Sequence, residues 1–168
     1  MLSKKSLARL VACQVLSLYY DPMNADKSIE SLLDIVSEHY VAVDFRDEDG
    51  KNRYLGVCRG KFVLSLLEGV LANQEKIDSR ISASLHSGHS LGSLDRVLLQ
   101  SLRLACFELM DSAIARKIIV SEYVDLVAEF HDRACTAFAN GVLDRMASEI
   151  AGPAEEVEAG TDSVGDQP

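Results

Sequence analysis

Apolar residues recur at three- and four-residue spacing along most of the chain, and the stripes they draw predict helices. The first covers Ser3 to Tyr20, with Leu7, Leu10, Val11, Val15, Leu18 and Tyr19 on one side. Asp21-Pro22 stops it, because the residue before a proline is pushed out of the helical region. A second stripe begins near Ser28 with Ile29, Leu32, Leu33, Val36 and Tyr40. A third runs from about Gly60 to Leu85 through Phe62, Val63, Leu66, Leu67, Val70, Leu71, Ile77 and Ile81, which predicts one long helix. From Leu91 to Met110 the pattern changes. Leu94, Val97, Leu98, Leu102, Ala105 and Leu109 form the main stripe, but Leu99, Cys106, Phe107 and Met110 fall outside it. A helix apolar nearly all round is buried by several neighbours, so this stretch is the expected centre of the fold. Ile118 to Phe130 and Ala134 to Ile150 complete the series, with Ser121 a candidate cap and Gly152-Pro153 the final stop.

The intervening segments fix the organisation. Asp44 to Tyr54, dense in charge and containing Gly50, reads as a solvated loop. His86 to Ser90 breaks the helical series and divides one domain, residues 1–152, into halves 1–87 and 91–152. Residues 153–168 are small and acidic, lack apolar anchors, and are expected to be disordered. Proline is scarce at three, and strict apolar/polar alternation is hard to find. The fold class is therefore all-α.

Charge adds two features. Arg103 and Glu108 interrupt the central helix, and charges there need ion-pair or N–H partners, as in a structural ion pair pinning adjacent helices. The net charge is −9, but without the five acids of residues 153–168 it is −4. At the other end Lys4, Lys5 and Arg9 crowd the first turns of the first helix, with no acid before Asp21. That is the end where the helix dipole disfavours cations, so either an anion is expected there or the terminus is simply solvated.

Other chemistry is thin. Cys13, Cys58, Cys106 and Cys135 are widely spaced without a C-x-x-C, and read as small buried hydrophobes in a reducing, cytoplasmic setting. No apolar run approaches a membrane span. His86 and His89 have ligand spacing but no third ligand, and the acids at 47–49 lack the order of a calcium loop, so no metal site is expected. No nucleophile motif, phosphate loop or cofactor fingerprint occurs, so neither an enzyme nor a cofactor is expected.

Four segments in order carry a family resemblance. Lys4 to Leu16, KKSLARLVACQVL, is similar to the opening R-R-x-x-A-R-x-x-A-x-Q-x-L of the NusB family of bacterial transcription antitermination factors. Phe62 to Leu85 resembles that family's L-x-x-G-V and I-D-x-x-I wording, and LRLACFEL its L-R-x-A-x-Y-E-L signature. IIVSEYVDLVAEF and FANGVLDRM resemble I-N-E-x-V-E-L-A and F-V-N-G-V-L-D-K, the former most like alphaproteobacterial members. Together they cover roughly residues 4–150.

The resemblance implies two packed three-helix-type bundles, six to seven helices in all. It also implies binding of single-stranded boxA RNA of ribosomal leader transcripts together with NusE, a small-subunit ribosomal protein, within an RNA polymerase antitermination complex. The implied RNA contacts are Lys4, Lys5 and Arg9, with Gln14 further along the helix and Phe138 in the F-V-N-G segment. Arg9 lies at i+4 from Lys5, so both are expected to aim outward from one side. Phe138 would stack on a base if exposed, and would be a core residue otherwise. This sequence departs from the family in carrying Ser6 and Leu7 where many members have arginines, Ala137 where a base is usual, and a longer 44–59 connection. Leu98 stands where many members have an acid that faces the protein partner. The alternative function is a helical protein-interaction module that keeps the fold and has lost strong RNA contact. A monomer and a homodimer both remain open.

Overall fold

A computed structural model of the chain describes residues 3–39, 49, 53–58 and 60–152. Within these, eight α-helices and two short 3-10 turns, Pro22–Asn24 and Leu91–Ser93, form an all-α architecture without a strand. The helices are α1 (Lys4–Tyr19), α2 (Ile29–His39), α3 (Arg53–Cys58), α4 (Lys61–Ala72), α5 (Gln74–Ser84), α6 (Arg96–Asp111), α7 (Arg116–Phe130) and α8 (Arg133–Ala151). Two differences raise the count above the expected six to seven. The long third helix is two, because Asn73 ends α4 and starts α5. Its side-chain amide donates to the Gly69 carbonyl at 2.8 Å while its backbone leaves helical geometry at ψ 18°. Asparagine competes for backbone groups in just this way. The second difference is α3, which begins inside the stretch read as a solvated loop and buries Cys58. The rest of that loop, apart from residue 49, and the acidic tail 153–168 lie outside the described residues.

The central stretch behaves as its pattern demands. Asp95 caps α6, its carboxylate accepting from the backbone N–H of Val97 at 3.0 Å and Leu98 at 3.3 Å. The helix therefore starts at Arg96, and Leu91 and Leu94 precede it. Every residue from Gln100 to Cys106 is buried. α6 packs against α1, α4, α5, α7 and α8, while α1 packs against α2, α3, α4, α6 and α7. The two halves are thus joined by one continuous core rather than resting on each other. α7 starts at Arg116, ahead of Ser121, which lies exposed within the helix and caps nothing.

Two contacts lock α6 in place. Gly69 on α4 faces Phe107 so closely that any Cβ at position 69 would collide with the ring. Arg103, the charge expected to pin adjacent helices, forms a two-point pair with Asp78 of α5 at 2.8 and 2.9 Å. Its guanidinium also sits 4.4 Å from the Tyr20 ring centroid, tying the end of α1 to the same junction.

Candidate nucleic-acid interface

The start of α1 is capped by Ser3, whose hydroxyl accepts from the Ser6 N–H at 3.0 Å. Lys4 and Lys5 follow, both exposed, and the first turn holds no acid. Two cations at the positive end of a dipole repel it mildly, a cost of a few tenths to about 1 kcal/mol each that a bound phosphate reverses.

Arg9 does not join them. It is expected to aim outward beside Lys5, but it is 2% exposed. Its Nε and Nη2 donate to the two carboxylate oxygens of Glu108 at 2.8 and 2.9 Å, and Nη1 reaches Glu122 at 3.2 Å. The cause is the width of the buried face of α1, where Leu7, Ala8, Val11 and Ala12 flank position 9 on both sides. Glu108, itself 3% exposed, needs a partner that satisfies both oxygens, and the planar guanidinium fork supplies it. The Tyr123 hydroxyl donates a third bond to Glu108 at 2.5 Å, and Ser6 donates to Glu122 at 2.7 Å. Burial opposes the charge on Arg9, but the hydrogen bonds and charge of Glu108, then Tyr123 and Glu122, hold its pKa above the ordinary value. Burial, reinforced by the Glu108 carboxylate, pushes the Tyr123 phenol well above its usual range. The cluster is an anchor for α1, and it sets the direction in which Lys4 and Lys5 leave the surface.

An aromatic ring belongs to the same neighbourhood. Lys5 Nζ lies 5.7 Å and the Arg9 guanidinium 5.6 Å from the centroid of Phe62, a half-buried residue in the first turn of α4. Phe62 enters the sequence pattern only as a core position, so periodicity alone conceals its closeness to the basic terminus. Glu122 is likewise visible beforehand only as the acid of the S-E-Y-V-D wording.

The remaining expected contacts lie elsewhere. Gln14 is half-buried in the wall of a cleft of about 570 Å³, together with Ser17, Leu18, Arg96, Val97 and Phe130. Phe130 is 44% exposed there, whereas Leu98, the position implied to face a protein partner, is 4% exposed. Below the cleft, His131 Nε2 meets the Asp95 carboxylate at 2.8 Å, which joins the α7–α8 corner to the start of α6. Phe138 on α8 is half-buried against His89, the ring centroids 4.9 Å apart, so it is neither fully exposed nor fully core. Nearby, Arg145 Nε donates to the Ser84 carbonyl at 2.9 Å.

Among the described residues no three His, Cys, Asp or Glu side chains gather as metal ligands, and no helix is long and apolar enough to cross a membrane. The four cysteines are free thiols, three of them buried. Burial pushes Cys13 up to about 11 and Cys106 up to about 12, which leaves them protonated and unreactive at neutral pH.

Comparisons with known proteins place the chain in a family. The model of the NusB family matches residues 6–148. The transcription antitermination protein NusB of Caulobacter vibrioides is 33% identical over 144 residues, covering 85% of this chain and 91% of the relative. That of Rhizobium etli is 31% identical over 155 residues, 92% of both chains. Among solved structures, T. maritima NusB superimposes with a TM-score of 0.65 at 25% identity, covering 89% of this chain and 94% of that one. A complex of antitermination factors NusB and NusE with double-stranded RNA gives 0.64 at 24% identity over 89% of this chain and 99% of its match, a likeness of fold. With the family model spanning all but the two ends and relatives above 30% identity covering most of both chains, the chain belongs to the NusB family.

Proposed function

We propose that this protein is a transcription antitermination factor that binds boxA-type single-stranded RNA of ribosomal leader transcripts jointly with a NusE-type ribosomal protein, as part of an RNA polymerase complex. The observation that carries the reading is the α1 terminus: two exposed lysines, no acid in the turn, and a helix held in place by a buried ion-pair cluster. Its relatives are named as antitermination proteins, and a structure of the same fold contains NusE and RNA. Lys4 and Lys5 contact phosphate, with Gln14 and Phe138 as further contacts. Arg9 acts from behind, by holding α1, instead of touching RNA. The cleft edged by Phe130 receives the protein partner, since Leu98 is buried.

A second reading, a protein-interaction module with little RNA affinity, is favoured by one observation: one of the three expected cations is turned inward. Binding of a fluorescent boxA-type RNA, titrated with this chain alone and with a NusE-type partner, separates the two. The antitermination reading expects weak binding alone and a gain of tenfold or more with the partner. Partner binding without any RNA affinity in the joint complex establishes the module instead.

A further inference from the structure

The α1 cations are few, and two phosphate contacts give a modest RNA affinity. The first turn of α4 meets them from the side. Phe62 there carries Lys5 Nζ over its ring at 5.7 Å, and its chain neighbour Lys61 is exposed. Gly60, the cap before them, brings no side chain of its own to the turn. Phe62 is only half-buried, and although Val63 after it is buried, Leu64 at 37% and Ser65 are exposed. An aromatic ring with a lysine over it from one helix and an exposed lysine beside it on its own helix is the combination that grips single-stranded nucleic acid, with bases stacking on the ring and phosphates held by the cations.

We infer that Lys61 and Phe62 form a second half of the RNA site, in which an unpaired nucleobase stacks at the Phe62 ring and the phosphates beside it run between Lys5 and Lys61. The inference rests on the RNA-binding reading above and deepens it, since the α1 lysines alone offer charge without a surface for a base. The buried Arg9 guanidinium, 5.6 Å from the same ring, fixes the ring from below and withholds a third cation from solvent. Lys5 over the ring in the free protein holds the place that the base takes. Its ammonium swings to the adjacent phosphate as RNA binds. The occupant is single-stranded because a paired base has both faces stacked already and offers none to a protein ring.

Two variants separate charge from stacking, with Lys4→Ala/Lys5→Ala as the reference. The probe is a fluorescein-labelled single-stranded boxA-type RNA, read by anisotropy at several salt concentrations with the NusE-type partner present. Lys61→Ala is an exposed change that leaves the core untouched. It should weaken binding about threefold and make the log–log salt slope shallower by about 0.7, one phosphate's worth on a single strand. Phe62→Leu keeps an apolar side chain of similar reach and should weaken binding about tenfold with the slope unchanged, while Phe62→Tyr restores wild-type affinity. Because Phe62→Leu also alters packing, its melting temperature is measured alongside, and the Lys61→Ala result stands if that variant is unstable. If Lys61→Ala and a well-folded Phe62→Leu both bind as wild type, while Lys4→Ala/Lys5→Ala loses affinity, the inference is overturned and the RNA-binding reading survives. If the wild type itself fails to bind the RNA, both fall together.

Discussion

A carboxylate as deeply buried as Glu108 is tolerated only while its partners are in place. Removing one side of a buried pair leaves an uncompensated charge, so Glu108→Ala and Arg9→Ala should each lose about 3–5 kcal/mol of stability in urea unfolding. Replacing both, as Arg9→Leu with Glu108→Leu, should cost less than either single change, because no deeply buried charge is then left unpaired and Glu122, part exposed, keeps its bond from Ser6. Equal melting of wild type and Glu108→Ala would mean that the cluster does not hold α1. Gly69→Ala tests packing at the same scale. Alanine is the better helix former, but its methyl meets the Phe107 ring, and the overpacking cost of about 1–3 kcal/mol should win. A stabilised Gly69→Ala protein would show that the ring moves aside freely. Half of the cluster was legible beforehand, since Glu108 on an all-apolar helix demands a partner. What the chain could not reveal is that the partner is Arg9, 99 residues away, because helical periodicity places a residue relative to its own axis and not to another helix. Lys5 and Arg9 share a side by spacing, yet the wide buried face of α1 claims only the second.

Helix ends carry their own energetics. Asp95 caps α6 and holds His131, so Asp95→Ala should cost about 1 kcal/mol, and Asp95→Asn, which still caps, should cost less. Burial raises the Asp95 pKa, but the bonds from His131 and the Leu98 N–H, then the His131 charge and the Val97 N–H, outweigh it and hold the carboxyl below its ordinary 3.8. The Met23 N–H and Arg96 do the same for Asp21. A carboxyl depressed in the folded state stabilises above its unfolded value, and the contribution is lost as pH falls through the folded one. Stability should therefore decline from about pH 4 downward, and Asp95→Asn should flatten part of that decline. An acid limb identical in the two proteins would contradict the assignment. Most elements were readable from their stripes, including both ends of α1 to within a residue. The Asn73 break was not, because the apolar period continues across it from Val70 to Ile77 and only the asparagine marks the kink. α3 was concealed by its charged surroundings, a turn of helix too short for periodicity to register.

Across the whole molecule, α1 and α6 each touch helices from both halves, so the chain should unfold as one unit. Far-ultraviolet circular dichroism and tyrosine fluorescence should trace one coincident transition in urea; two separated transitions would mean that the halves at the His86–Ser90 turn fold independently. On the proposed reading, a chain of net charge −9 binds a polyanion through a local patch and not through its overall field. A buried cluster of opposite charges sets the helix, and a few exposed lysines at its tip act locally within a screening length of about 8 Å. The all-α class and the position of the basic terminus were plain in the sequence, whereas the inward turn of Arg9 and the approach of Phe62 depend on helix packing. The central claim is that Lys4 and Lys5 contact RNA phosphates, and its most direct test is the salt dependence of RNA affinity with the NusE-type partner present. Relative to wild type, Lys4→Ala/Lys5→Ala should bind more weakly, with a log–log slope shallower by about 1.4, two phosphate contacts on a single strand. Unchanged affinity and an unchanged slope in that variant would contradict it.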